Sequence, residues 1–528
     1  MYKISWCYFN QHKFSASKKV MQKVVENSAR VSAEADLRQE ALRDLVLIYS
    51  ELGEFVEADK YFTSIGEPEY AIKVLEQLSD IYFDQARYDL AIKTISLLLK
   101  KQPYSANAPK YHSKLIDCFD RSQRLTTAMK EMNRFLASYE PSSRWHRQNT
   151  GKETRDYAHN RSEVYARFLA TRYHEESQSY EEKDRKKSEN FALTAMGFYK
   201  KYFQRFQTHP KAYDLRILYA ELLYQYKRYE LAAEQYGLVV KQKPRGPRAK
   251  EALTGQIDAL SKVEAVKYKK VQELAQKKKE KLPLPDTTKN LIKATILYSK
   301  LFPKDKKAPT VYFQHALLFY NYNHFSQALK SFDSVIKKYP KASSSNKSRH
   351  LILDIHNIKK DWLAVEKTSM AYLKVPGFGS KNKAMLLDLV QGSIFQQAKD
   401  IEKTQNHVAA AQKFESLVKR FPSSKYADKA LFNASMNYIK ADKASAAIKM
   451  SNQFLKKYPN SDLAPELLVT FATYFDQKLD YKNTATYYEL YVSRDPKSKA
   501  APDALYNAAV YREKLGDLNK ALTNYKKH

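Results

Sequence analysis

Residues 421–434 read FPSSKYADKALFNA. At 458–471 stands YPNSDLAPELLVTF, and at 495–508 DPKSKAAPDALYNA. The three stretches begin 37 residues apart. Pro422, Pro459 and Pro496 keep that interval, as do Ser424, Ser461 and Ser498, and Ala427, Ala464 and Ala501. Pro303 and Pro340 show it again further upstream. A fixed period in the range of about 20–50 residues is the mark of stacked supersecondary units.

The interior of one unit, 425–459, says what is stacked. Leu431, Ala434 and Tyr438 recur at helical spacing and make one apolar stripe. A break is expected near Asp442, followed by a second helix carrying Ala447, Ser451 and Phe454. Ser424 is the expected N-cap of the first helix, its side chain accepting from an unpaired N–H. Pro459 closes the second helix, because proline cannot extend one. The unit is a helical hairpin with small residues where its helices cross. One hairpin cannot hide its stripe alone, so it has to stack.

Composition agrees. The chain has 528 residues with only 11 Gly and 18 Pro, which favours long helices over turn-rich folds. Hydrophobic residues make up 43%, enough for a continuous core, yet no run approaches the ~18 apolar residues a membrane span needs. Cys7 and Cys118 lie far apart without a CxxC pair, so both are expected to be small buried residues. The opening MYKISWCYFNQHKF lacks the apolar core of a signal peptide. It reads as the inside of a helix, and the end, NKALTNYKKH, stops in mid-pattern. An excised fragment is expected, its last helix beginning near Leu518 and His528 standing as the first residue of a tag.

With these residues in view the sequence resembles the tetratricopeptide repeat superfamily. Residues 39–70 carry its pattern best, with Leu42, Leu45, Val46, Tyr49, Gly53, Phe55, Ala58 and Phe62. Residues 72–103 follow with Leu75, Leu78, Tyr82, Tyr88, Ala91 and Pro103. Further traces are Ala128, Tyr229, Ala232, Pro244, Phe325, Ala328, Phe332, Trp362, Gly516 and Ala521. The resemblance implies an all-α fold, an α-α superhelix of helical hairpins. The period departs from the family's 34, so either helices or links are longer here. Three parts are expected. Residues 1–141 and 311–528 hold regular repeats. Residues 142–310 hold longer, very polar helices with one regular repeat at 211–244. LPLPDTT at 282–288 reads as a loop between two such helices. The wording YP-x-S-x-x-A-x-x-A-L-F-N-A, mainly within 303–528, is similar to repeats of bacterial cell-envelope proteins, among them outer-membrane assembly lipoproteins and the periplasmic partner of the Tol–Pal system. That resemblance implies a periplasmic or outer-membrane-associated scaffold; a cytoplasmic location stays open.

Chemistry is sparse. HEES at 174–177 lacks the second His of a helical zinc site and reads as a solvated acidic patch. GFGS at 377–380 lacks a third glycine and a preceding strand and reads as a turn between hairpins, and GKET at 151–154 lacks the upstream glycine and the strand of a phosphate loop. No catalytic residue, metal set or cofactor is expected. Tyr49, Tyr82, Phe319 and Tyr438 are expected in the core, with part of the surplus of 40 Tyr left for partner contacts.

In the tetratricopeptide family the first helix of each hairpin lines the concave face. The resemblance therefore implies a polar, partner-binding column of Gln77, Gln314, Asn433, Thr470 and Asn507. Arrays that clamp a peptide's terminal carboxylate place Lys or Asn at positions that here hold Phe432 and Met436, which argues against that mode.

The formal net charge is +33. It concentrates in 241–307, with 19 Lys/Arg against 7 Asp/Glu, and most densely in VKYKKVQELAQKKKEK at 266–281. Lys267, Lys269, Lys270, Lys277, Lys278 and Lys279 form the expected basic patch. Lysine is a flexible point charge, so loose attraction of an acidic protein or an anionic envelope polymer is favoured over a specific phosphate site. The function these features support is a non-catalytic protein-interaction scaffold of a bacterial envelope assembly. Two alternatives are a basic, nucleic-acid-associated array and the interaction arm of a larger protein whose enzyme domain lies outside this chain.

Overall fold

The computed structural model describes residues 1–28, 35–66, 68–278 and 280–528. Among the described residues there are 28 helices and no strand. The fold is all-α, helical hairpin after helical hairpin, as the 37-residue period predicts. Packing divides the chain into two units, Met1–Lys267 and Tyr268–His528, and the division falls within the 30-residue helix Ala249–Lys278.

In the first unit the regular hairpins include Pro68–Asp84 with Tyr88–Lys101, Ala108–Arg121 with Leu125–Ser138, and Ala212–Gln225 with Tyr229–Gln242. Between the last two stands an extended hairpin of Lys152–Ser179 and Arg185–Phe206, where the sequence predicts long polar helices. In the second unit Ala308–Asn321, Ala427–Lys440, Ala464–Gln477 and Ala501–Lys514 are 14-residue first helices of successive type. Their cores join. One buried cluster runs from Val390 through Phe414, Leu431, Phe454, Phe471 and Tyr491 to Ala504.

The period has a simple anatomy. Ala427–Lys440 has 14 residues, the turn is 441–443, Ala444–Lys457 has 14, and the link is 458–463. Earlier in the chain the link between Phe55–Ser64 and Pro68–Asp84 spans only 65–67. The extra length of the 37-residue units lies in the proline-bearing link, not in the helices.

That link corrects one expectation. Ser424 is not the N-cap; Tyr426 holds that position. The Ser424 hydroxyl accepts from the Tyr426 N–H at 3.2 Å, and its carbonyl accepts from Ala427 N at 3.0 Å. Ser461 and Ser498 repeat both contacts, on Leu463 and Ala464 and on Ala500 and Ala501. The conspicuous serines shape the approach to each helix rather than cap it.

The turn inside the hairpin Ala427–Lys457 is a Schellman closure. Asp442 N donates to Ile439 O and Lys443 N to Tyr438 O, with Asp442 at φ 56°. Gln405, Leu479 and Gly516 occupy the same left-handed position at intervals of 37. Just after it, the side chains of Asn406, Asp480 and Asp517 cap the second helix. A left-handed conformation costs a side-chain-bearing residue about 1 kcal/mol. Leu479, 70% exposed, makes little contact that could offset this. Leu479→Gly is expected to raise the urea midpoint of the C-terminal hairpins by the equivalent of ~0.5–1 kcal/mol. A lowered midpoint would show that the leucine side chain contributes more than its backbone costs.

Two further expectations are corrected. Cys118 is buried, but Cys7 is exposed, on the outward side of helix Tyr2–Asn10 whose Ser5 faces in. HEES is not a solvated patch throughout. His174 is buried, its Nδ1 at 3.0 Å from the Tyr199 hydroxyl, and Ser177 is buried beside it. Burial also pushes the His174 pKa below the usual imidazole range.

Candidate interaction surfaces

Gln314, Asn433, Thr470 and Asn507 are each the seventh residue of a 14-residue first helix. All four are half-buried. Asn433, Thr470 and Asn507 fall in three consecutive hairpins, so register places them on the equivalent face of each. Thr470 spends its hydroxyl hydrogen on Glu466 O at 2.8 Å in its own helix. Gln314 has the same register in an earlier hairpin of the same unit. Gln77 is exposed on Pro68–Asp84, in the first unit.

Sequence reasoning missed the polar contacts that tie hairpins together near this face. Asn437 Nδ2 donates to Glu402 Oε1 at 2.8 Å while its Oδ1 lies 2.9 Å from His407 Nδ1. Asp442 accepts from Tyr474 at 2.6 Å and from Lys478 at 2.9 Å. Arg512 makes a two-pronged contact with Glu489 at 2.8 and 2.7 Å, and Asn524 donates to the same carboxylate at 2.8 Å. These partners stand 23–36 residues apart, roughly one hairpin, which is the only sequence signal that could have found them.

Part of the tyrosine surplus clusters here too. Tyr511 stacks on Tyr481 at 5.6 Å and lies near-parallel to Tyr488 at 6.4 Å. Lys514 Nζ sits 5.3 Å from the Tyr481 ring centre and 5.2 Å from that of Tyr511, a cation–π arrangement. All three rings are half-buried, leaving edges open to solvent. Tyr49, Tyr82 and Tyr438 are buried as expected, and Phe319 is partly so.

Of the basic patch, Lys269, Lys270, Lys277 and Lys278 are exposed and Lys267 is half-buried. Lys279 lies outside the described residues. The helix that bears them is anchored at its far end. Asn323 Nδ2 donates to Ala275 O at 2.9 Å and to Glu280 O at 3.1 Å, and Leu282 N donates to Tyr322 O at 3.0 Å. The LPLP loop is thus held on the turn of a following hairpin.

The glycine stretches have structural reasons. Gly151 precedes helix Lys152–Ser179 as its N-cap. Gly377 takes φ 73°, and a Cβ on Gly379 would stand 2.1 Å from the Leu373 carbonyl oxygen. Among the described residues no cluster of His, Cys, Asp or Glu could hold a metal ion, and no helix is long and apolar enough to cross a membrane.

Hairpins of this anatomy, joined through buried alanines and inter-hairpin polar pairs, define a helical-repeat scaffold. More narrowly, the C-terminal part carries tetratricopeptide-type repeats: residues 429–461 match that repeat family, and residues 299–444 match the YfiO outer membrane lipoprotein family. No curated protein matches the chain. Similar solved structures include a tetratricopeptide repeat protein from Parabacteroides merdae, 10% identical over 64% of this chain and 98% of that one, with a TM-score of 0.24. The C-terminal part of a repeat protein from Cytophaga hutchinsonii is 12% identical over 65% and 99%, with a TM-score of 0.23. Yeast Tom70 is 11% identical over 91% and 96%, with a TM-score of 0.21.

Proposed function

We propose that this chain is a non-catalytic scaffold of a bacterial cell-envelope assembly, periplasmic or outer-membrane-associated, which holds a segment of a partner protein along its C-terminal first helices. The observation that carries the reading is the match of residues 299–444 to an outer membrane lipoprotein family. The shared register of Asn433, Thr470 and Asn507 supports the location, since three equivalent polar side chains on adjacent hairpins can follow an extended backbone. The half-buried Tyr481, Tyr488 and Tyr511 add rigid rings, which contribute well to contacts at little entropic cost. Net positive charge raises the encounter rate with an acidic partner.

The test is site-specific photocrosslinking in the source organism, with the reactive group at 433, 470 or 507, followed by fractionation. One shared protein adduct from all three sites, in the envelope fraction, is expected. The exposed second-helix position Lys449 serves as the control and should give none. Adducts to unrelated proteins, or a chain confined to the cytosol, would overturn the reading. Nucleic-acid binding has less support. Tyr268, the aromatic residue within the exposed lysines, has its hydroxyl bound by Gln272 at 2.7 Å on the same helix. No row of rings offers stacking among those lysines.

A further inference from the structure

A notch of about 430 Å³ opens between the first turn of helix Tyr229–Gln242 and the middle of helix Ala249–Lys278, within the first unit. Three apolar side chains line it. Leu231 is 50% exposed and Val266 84% exposed, with Val263 half-buried between them. Exposed apolar residues are ordinary when scattered, but here they converge on one concavity. Val266 lies three residues from Val263 and four from Lys262, so it neighbours both on the helix surface. The rim is cationic: Lys227 and Arg228 on the hairpin turn, Lys262 and Lys267 on the long helix. The one carboxylate lining the notch is Glu230.

The walls are held at fixed spacing. A Cβ on Gly255 would fall 2.6 Å from the Tyr236 ring, and one on Gly237 would fall 2.6 Å from Gln256, so the two helices meet where neither glycine carries a side chain. The turn that carries two of the cations is pinned by Lys227 N donating to Tyr224 O at 3.0 Å and Arg228 N to Leu223 O at 2.8 Å. The notch is therefore a preformed feature, which reduces the ordering cost of binding.

We propose that this notch docks an acidic amphipathic segment of a partner protein. One apolar side chain of the partner enters between Leu231 and Val266, and flanking carboxylates meet Lys227, Arg228 and Lys262. Charge complementarity sets the sign of the partner, and concavity sets its form. A lipid surface does not enter a notch between two helices. Nucleic acid would need open rings, whereas the Tyr229 ring is half-buried and packs edge-on to Tyr224 at 5.2 Å. This surface lies outside the C-terminal first helices, and its test does not depend on them.

The experiment uses the full chain and a fluorescent probe peptide of about 16 residues, rich in Glu and Asp with leucines at helical spacing. A twin peptide has its leucines replaced by serine. Anisotropy is read at about 150 mM salt, where long-range attraction to a +33 chain is largely screened. The leucine probe is expected to bind at least about tenfold more tightly than its twin, and Val266→Glu to remove about tenfold of that affinity. Arg228→Gln should weaken binding and flatten its salt dependence. Because Val266 is almost wholly exposed, its substitution should leave the thermal melt unchanged, and Leu231→Ser provides a second, uncharged change. Equal binding of the two peptides, or indifference to both notch variants, would reduce the effect to net charge and overturn the proposal. Loss of binding to anionic-lipid vesicles in Val266→Glu, with peptide binding intact, would overturn it in favour of a membrane surface.

Discussion

Glu489→Ala is expected to loosen the last hairpin, raising amide exchange in helices Ala501–Lys514 and Leu518–Lys527 by about a hundredfold. The cause is what the substitution leaves behind. Arg512 is only 6% exposed, and Glu489 is its counter-charge across the gap between consecutive hairpins. Burial works against ionisation of Glu489, but the hydrogen bonds from Arg512 and Asn524 prevail and hold its carboxyl below the usual range. Removing the carboxylate leaves the buried Arg512 guanidinium on the Thr486 hydroxyl at 3.1 Å without its paired carboxylate, and takes the acceptor from the Asn524 amide as well. Breaking a buried pair from one side typically costs 3–5 kcal/mol, and the partial exposure of Glu489 puts the figure here at about 3 kcal/mol. In a stacked array the loss stays local, because each hairpin is stabilised by its neighbours. The double variant Glu489→Leu with Arg512→Met removes both charges and should recover most of the protection. Unchanged exchange in the single variant would show that water reaches Arg512 and replaces the carboxylate.

Acid should weaken the second unit well before its carboxylates titrate. His315 is 3% exposed, and its Nδ1 has no hydrogen-bond partner. Tyr312 lies edge-on at 4.6 Å and Phe319 at 6.2 Å. Burial, reinforced by the positive charge of Lys338, pushes its pKa down to about 4. The unfolded imidazole, with a pKa near 6.5, takes a proton that the folded one refuses. Between those values the unfolded chain binds more protons, so stability rises with pH. The contribution is complete above about pH 6.5 and is lost as pH falls toward 4, on the order of 3 kcal/mol across the window. Thermal melts of wild type and His315→Leu at pH 7.5 and 4.5 would measure it. The variant should lose clearly less between the two pH values. An identical loss would assign the acid sensitivity to other groups, among them His356, whose pKa burial also lowers.

The sequence made the hairpins legible because their markers are local. Ala427, Ala464 and Ala501 are buried at the start of each first helix, where only a small side chain fits, and the prolines lie in the links. What stayed hidden depends on atoms brought together from a distance. Spacing alone does not say which N–H a serine reaches, and Ser424 merely precedes the helix that its position in the repeat suggests it caps. Asp442 and Leu479 adopt the left-handed turn without the glycine that would have announced it. His174 sits in a run of polar residues yet is buried, with Tyr199, 25 residues on, lying against it. The polar column was legible as a register and no further. The notch joins residues 227–231 to residues 262–267 through a glycine contact that no periodicity reports.

The equal anatomy of the hairpins between 422 and 500 bears on how such a chain changes its length. Excising or duplicating one whole period, Pro422 to Tyr458 for example, rejoins a proline to the same serine turn and asks for no new backbone geometry. A shift of a single residue would rotate the following apolar stripe by about 100° and turn Leu431 and Ala434 away from their neighbours. Recombination within the gene can therefore add or remove working surface in whole steps, with frame set by the links.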